Sequence, residues 1–257
     1  MRLEDDSQHN PNQDVSIAAV AHEYASRSLL PEHRHRSDQL IYAIRGAMEV
    51  SQGQSVWLVP PHFGLWIPAQ TCYRIHIPEP VSMRRLYFHP GLVSALPPDC
   101  AMLHVSPLQR ELILEAVRIG RLGMRNHYER ALRELLVSNL ENSSPVPTHV
   151  TMPREQRALA VAQAVLTNPA QSIRLTALCA EVGVSVRTIE RIFRKDVGID
   201  FESWRRQVRL MKAVELLVSG CTVKEVAFGA GYRQPGGFAK AFRQTFGTTP
   251  KAWVSAL

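Results

Sequence analysis

The feature that most constrains this chain is a pattern that occurs twice in its C-terminal half: a short helix, a glycine turn, then a basic amphipathic helix. The first copy runs over about Leu175 to Val182, breaks at Gly183 and restarts at Ser185, which opens the stretch Ser185 to Lys195. Ser185 is a good N-cap. Ile189, Ile192 and Phe193 make one apolar stripe, and Arg187, Thr188, Glu190, Arg191, Arg194 and Lys195 occupy the remaining surface. In the second copy Thr222 caps a helix over Val223 to Gly229, Gly231 turns, and a basic helix runs from about Pro235 to Phe246. There Phe238 and Phe242 take the core face while Lys240, Arg243 and Gln244 face outward; Gly247 ends it and Pro250 starts a last short helix. A helical hairpin alone is common. Two in register predict a pair of helix-turn-helix motifs, whose second helices are the ones that enter a major groove.

Between the copies, Phe201 to Ser219 reads as a helix with Trp204, Val208, Leu210, Met211, Val214 and Leu217 apolar. At ~1.5 Å per residue it spans ~25 Å, long enough to set the two basic helices on successive groove segments of one duplex face. Before the first copy, Arg154 to Leu166 carries Ala158, Val161, Ala162 and Val165 on one face and ends at Asn168-Pro169.

Charge follows the same division. Residues 154–257 hold 16 Lys and Arg against 8 Asp and Glu, whereas residues 1–153 hold 14 against 15. A near-neutral part joined to a basic part is the electrostatic outline of a control domain on a nucleic-acid-binding domain. No run of ~18 apolar residues is present to span a membrane. The polar, acidic N-terminus lacks the apolar core of a secretory signal, which predicts a cytosolic chain. Cys72, Cys100, Cys179 and Cys221 lack Cys-x-x-Cys spacing and read as reduced thiols, not a disulfide framework or a zinc site.

The N-terminal part has a different texture. Residues 1–14 read as a disordered tail, with His9 solvated. From Val15 short apolar runs are punctuated by Gly and Pro: Ser16 to Ala21, Gln39 to Ile44, Ala47 to Val50, Ser55 to Val59, Tyr73 to Ile77 and Met83 to Phe88. Many short strands predict a sandwich or barrel, closed at Pro97-Pro98. Ser106-Pro107 then caps and opens a helix through Ile119, and a second helix runs from Tyr128 to Leu140. These helices either cover the barrel or pair with a second chain. The turn-rich stretch from Asn142 to His149 reads as a linker, so the expected domains are residues 15–141 and 154–257, with 142–153 between them.

Two N-terminal stretches carry candidate chemistry: His33-Arg34-His35-Arg36-Ser37-Asp38-Gln39, and Pro60-Pro61-His62 through Ala69 with Tyr73 beyond. They resemble the two motifs of a cupin barrel, in which His-x-His, a carboxylate and a further His converge on a metal. Strand alternation would put positions 33, 35 and 39 on one face. Gln39 stands where the carboxylate would be and Tyr73 where the last His would be, leaving two imidazoles and two neutral, weaker ligands. His33 and His35 therefore read, in order, as pocket groups for an organic effector, as satisfied remnants, or as holders of a divalent metal. Tyr42, Trp66 and Tyr73 are the candidate aromatic walls of that pocket, with barrel core the other role for Trp66.

Residues 154–257 resemble the DNA-binding domain of the AraC/XylS family of transcription regulators. The resemblance is carried by Leu178-Cys179-Ala180, Gly183-Val184-Ser185, Arg191-Ile192-Phe193, Gly198, Trp204-Arg205, Arg209-Leu210, Ala213, Leu216-Leu217, Gly220, Val226-Ala227, Gly231-Tyr232, Phe238, Phe242 and Gly247-Thr248-Thr249-Pro250. With the cupin-like motifs it covers nearly the whole chain and implies an α+β protein of two domains. These are an N-terminal cupin-like β-barrel sensor with a helical hairpin and an all-α double helix-turn-helix domain. It also implies promoter DNA as partner, a small-molecule effector, RNA polymerase contact, a homodimer and no enzymatic activity.

On the first recognition helix Arg187, Glu190 and Arg191 match the family's base-contacting positions, since Arg pairs with guanine and Glu accepts from cytosine. Glu190 reads equally as a partner of Arg187 or Arg194, while Thr188, Arg194 and Lys195 suit phosphate. The second helix departs from the family pattern: Gln234 and Gly236 stand where serines are usual, followed by Gly237, Ala239 and Lys240. Gln234 reads as a helix cap or a phosphate contact and Lys240 as the chief base or phosphate contact of this helix; with Ser185 and Gly236 they complete the candidate DNA-binding set, and the first helix is expected to dominate specificity while the second chiefly adds affinity. A regulator sensing metal or oxidation through His33, His35 and Cys72, a cupin enzyme, and a barrel that only dimerises are the competing readings.

Overall fold

In this computed structural model of the chain the described residues are 11 and 15–255, apart from positions 62, 125, 144, 147, 148 and 172. The expected tail, except Pro11, and His62 of the second histidine motif lie outside them. The chain divides into two compact units at Pro147 and Thr148, with Gln54–Val56 grouped with the second.

The first unit is built on two antiparallel sheets. Its strands are β1 (Val15–Tyr24), β2 (Ser28–His33), β3 (Asp38–Arg45), β4 (Met48–Gln52), β5 (Ser55–Val59), β6 (Phe63–Ile67), β7 (Tyr73–Ile77), β8 (Val81–Phe88), β9 (Ala101–His104), β10 (Arg121–Gly123) and β11 (Pro145–Val146). One sheet runs β10-β1-β8-β3-β6-β9-β11 and the other β5-β4-β7-β2. All six expected strands are present. Pro97-Pro98 does not close the sheet region, because β9 follows and pairs with β6 in the register Leu65 to Met102. Nor is the expected linker without structure, since β11 pairs with β9 and β12 (His149–Thr151) lies beyond it.

Alternation along β3 and β8 sends residues to two different cores. Leu40, Tyr42, Leu86 and Phe88 face outward, where α1 (Pro107–Ile119) and α2 (His127–Glu141) cover them through Leu112, Ile113, Ala116, Leu132, Leu136 and Leu140. Both helices start as their sequences dictate: Ser106 Oγ accepts from Gln109 N at 3.2 Å, and the Asn126 side chain accepts from Tyr128 N at 2.8 Å.

The second unit is helical: α3 (Gln156–Thr167), α4 (Leu175–Glu181), α5 (Val186–Asp196), α6 (Phe201–Val218), α7 (Val223–Gly229), α8 (Pro235–Phe246) and α9 (Pro250–Ser255). Its core is aromatic. Trp204 of α6 lies with Phe193 and Phe201 at ring-centroid distances of 5.3 and 6.1 Å. Around α8, Phe238, Phe242, Phe246 and Trp253 form a second series. Gly183 and Gly231, the two turn glycines, take φ of +65° and +79°, a region that other residues enter at a cost. At Gly231 a Cβ would also lie 2.7 Å from the Ala170 carbonyl oxygen.

One stabilising device went unread in the sequence. Thr222 and Glu225 form a full capping box, in which Glu225 accepts from Thr222 N at 2.7 Å and Thr222 Oγ1 from Glu225 N at 3.3 Å. The hydrogen bonds from the Thr222 backbone and side chain hold the Glu225 carboxyl below its ordinary pKa. Replacing Thr222 by Ala removes the side-chain half of the box; it is expected to cost ~1 kcal/mol, measured as a shift in urea midpoint at unchanged m-value.

Candidate nucleic-acid interface and interior polar cluster

α5 presents its cations as its periodicity requires. Ser185 Oγ accepts from Thr188 N at 3.1 Å, fixing the helix start. Ile189, Ile192 and Phe193 are buried, and the opposite face carries Arg187, Arg191, Arg194 and Lys195, all exposed. Spacings of four and three put Arg187, Arg191 and Arg194 on one stripe. A fork of five N–H donors on such a stripe meets a guanine edge bidentately.

Two of the predicted contacts differ from the exposed arginines. The Thr188 hydroxyl lies 2.9 Å from Ser185 Oγ, so it belongs to the cap. Glu190 is half-buried at the edge of the cationic stripe, with Oε2 enclosed and without a hydrogen-bond partner among the described residues. After burial itself, its charge is what raises the pKa of the Cys179 thiol on α4.

α8 offers a different surface. Gln234 is its N-cap residue but makes no side-chain cap hydrogen bond, and Pro235 stands at the start. Gly236, Gly237, Lys240, Arg243 and Gln244 are exposed. Ala239, Lys240, Arg243, Gln244 and Thr249 line a surface concavity of about 530 Å³.

The interior of the sheet unit gathers most of the expected effector residues, by a route other than the expected one. His33 ends β2, His35 lies in the following connection and Gln39 belongs to β3 in the other sheet. Convergence therefore comes from the chain crossing between sheets and not from alternation along one strand. The rings of His33 and His35 lie 4.9 Å apart edge to face, and Tyr73 is 4.5 Å from His33. Tyr73 Oη donates to Gln39 Oε1 at 2.8 Å. The two residues standing in place of a metal's carboxylate and imidazole thus bond to each other, and all four side chains are buried.

Tyr42 and Trp66 are not part of this group. Positions 39 and 42 have opposite parity in one strand, and Trp66 pairs with Leu40; both side chains belong to the helix-covered core. Their place is taken by two residues the sequence reading missed. Tyr87 pairs in register with Gln39 and Arg85 with Ile41, and the His35 ring lies 5.5 Å from that of Tyr87. Arg85 is 2% exposed. Burial opposes its charge, but Tyr73, Tyr87 and Tyr24 outweigh that and hold its pKa above the ordinary value. The signal was legible: Arg84 and Arg85 are adjacent in a strand, so one of them must point inward.

Among the described residues, no three or more His, Cys, Asp or Glu side chains gather in a group able to hold a metal. No helix among them is long and apolar enough to cross a membrane.

An antiparallel sheet unit joined to two helix-turn-helix motifs with an exposed cationic recognition helix defines a DNA-binding transcription regulator. The sequence pattern of a helix-turn-helix domain matches residues 178–256. The chain is 27% identical over 244 residues to the HTH-type transcriptional regulator NimR of Escherichia coli, covering 95% of this chain and 89% of that one. It is 34% identical over 110 residues to the HTH-type transcriptional regulator RipA of Corynebacterium glutamicum, covering 43% of this chain and 33% of that one. These similarities are to transcriptional regulators of the HTH type, as the resemblance of residues 154–257 to the AraC/XylS family implies. Similar solved structures include ToxT from Vibrio cholerae, at 11% identity and TM-score 0.38, covering 93% of this chain and 97% of that one. Another is the DNA-binding domain of AdpA in complex with a target DNA, at 29% identity and TM-score 0.38, covering 40% of this chain and 93% of that one.

Proposed function

We propose that this regulator binds promoter DNA through α5 and α8 under the control of a small organic effector received between the sheets of its first unit. The observation that carries the effector reading is the interior set His33, His35, Gln39, Tyr73, Arg85 and Tyr87. A core alone does not call for six polar side chains in one place, since each must be bonded before its burial is free of cost. A few polar groups among aromatic rings are what fixes the orientation of a small ligand.

The same reading takes the chain to be a cytoplasmic, non-enzymatic homodimer that contacts RNA polymerase when bound. Self-association is supported by Leu108 on α1 and by Tyr128 and Leu135, seven residues apart on α2, which are large apolar side chains exposed at 57%, 54% and 49%. The interior set is read as free of metal.

A thermal-shift screen of small organic molecules on the full chain tests the effector reading. An effector at a hundredfold excess over its Kd is expected to add ~2.7 kcal/mol of stability. The response should vanish in Tyr73→Phe and Gln39→Leu and persist in Leu135→Ala. Hits that shift all three variants as they shift the wild type would place the ligand elsewhere. Dialysis against a chelator should leave DNA affinity unchanged; a loss of affinity that a divalent metal restores, and that is absent in His33→Ala, would assign the interior to metal sensing instead.

A further inference from the structure

Among the described residues Arg85 is the buried side chain of fixed charge, and no Asp or Glu is buried with it. It projects from β8 between Val20 of β1 and Ile41 of β3. The groups that hold it are phenols: it donates a hydrogen bond to Tyr87, and Tyr73 and Tyr24 also favour its charged form. Phenol dipoles stabilise a cation without neutralising it. The interior of the sheet unit therefore keeps a positive charge.

The strands that carry this charge also carry an apolar surface on the same face. Alternation puts Met83 with Arg85 and Tyr87 on β8, and Ile41 with Gln39 on β3. Leu65 of β6 stands opposite Ile41. Met83, Ile41 and Leu65 are fully buried. A guanidinium presents a planar fork that meets a carboxylate through two parallel hydrogen bonds, and one cation balances one negative charge. Apolar walls beside it suit the hydrocarbon body of an acid. A phosphate monoester would bring a second negative charge, for which no further buried Lys or Arg is present among the described residues.

We infer that the effector is an organic monocarboxylic acid, received with its carboxylate on Arg85 and its apolar body against Ile41, Leu65 and Met83. Arg85 is then the residue that sets specificity by charge: it favours the acid over a neutral analogue of the same shape, and a single negative charge over two. This rests on the reading of the interior as the effector site.

The test uses the full chain and a panel of aromatic and aliphatic monocarboxylates, phenylacetate and hexanoate among them, each beside its primary amide, with phenyl phosphate as the dianion. Thermal shift against concentration gives a Kd for each. At least one acid is expected to bind ~10-fold or more tightly than its amide and than phenyl phosphate. Arg85→Gln keeps N–H donors and loses the charge, so the advantage of the acid should shrink to within ~2-fold. Arg85→Lys keeps the charge and should retain the preference. Amides or phenyl phosphate that bind as tightly as the acids overturn the inference, and so does a preference that survives in Arg85→Gln or a panel in which no acid binds. The comparison of acid with amide on the wild type needs no variant, so it decides even if Arg85→Gln does not fold. The effector reading fails separately. Neutral molecules whose response is lost in Tyr73→Phe would sustain that reading while the acid falls, whereas silence from charged and neutral molecules alike removes both.

Discussion

Arg191→Ala is expected to weaken binding to a duplex that the wild type selects from a randomised pool ~5- to 150-fold, the range of ~1–3 kcal/mol set by one bidentate base contact. Its signature is loss of discrimination at one position of the site. Lys240→Ala should instead weaken all duplexes by a similar factor and reduce the salt slope by ~1. The physical difference is already in the helices: Arg191 projects from an exposed stripe shared with Arg187 and Arg194, whereas Lys240 shares its face with the bare backbone of Gly236. Repeating the randomised-pool selection with each variant measures both. If Lys240→Ala relaxes base preference more than Arg191→Ala does, the two helices have exchanged roles.

Trp204→Ala should have the largest effect on stability. The side chain is fully buried between Phe193 of the recognition helix and Phe201, and its Nε1 donates to the Thr151 carbonyl oxygen at 2.9 Å. Removing a buried aromatic of this size costs ~3–5 kcal/mol, against a total stability of ~5–15 kcal/mol for a domain. Urea unfolding followed by circular dichroism should show the helical unit melting early or already unfolded, with DNA binding lost in proportion. Trp204→Phe keeps an aromatic ring and loses the hydrogen bond, leaving the Thr151 carbonyl to find water, and should cost ~1–3 kcal/mol. A Trp204→Ala variant within ~1 kcal/mol of wild type would mean that α5 is seated by contacts other than this aromatic group.

The helical unit was far more legible than the sheet unit, and particular residues show why. α7 and α8 lie where the sequence puts them, and α5 begins at Ser185, because caps, glycine turns and a 3.6-residue period act within a few residues of themselves. The same local physics placed β3, β5, β7 and β8. It did not place β9 after Pro97-Pro98, or β11 inside an apparent linker, since those strands exist only through partners far along the chain. The interior site was half legible. His33, His35, Gln39 and Tyr73 do come together, but by a crossing between sheets that no spacing reveals. The exclusion of Tyr42 followed from parity within its own strand and was there to be read.

The sequence by itself determined that this chain carries two helix-turn-helix motifs in a basic half, that α5 offers arginines while α8 offers glycines, and that a strand-rich unit precedes them. Each of these is a matter of neighbouring residues and their period. Tertiary structure alone decided that Gln39 and Tyr73 bond to each other, that Arg85 is the arginine turned inward, and that a Cβ at Gly236 or Gly237 would meet nothing within 4 Å among the described residues. Those facts depend on which distant atoms share a space, and pairing energies between strands and helices choose that only once the whole chain has folded.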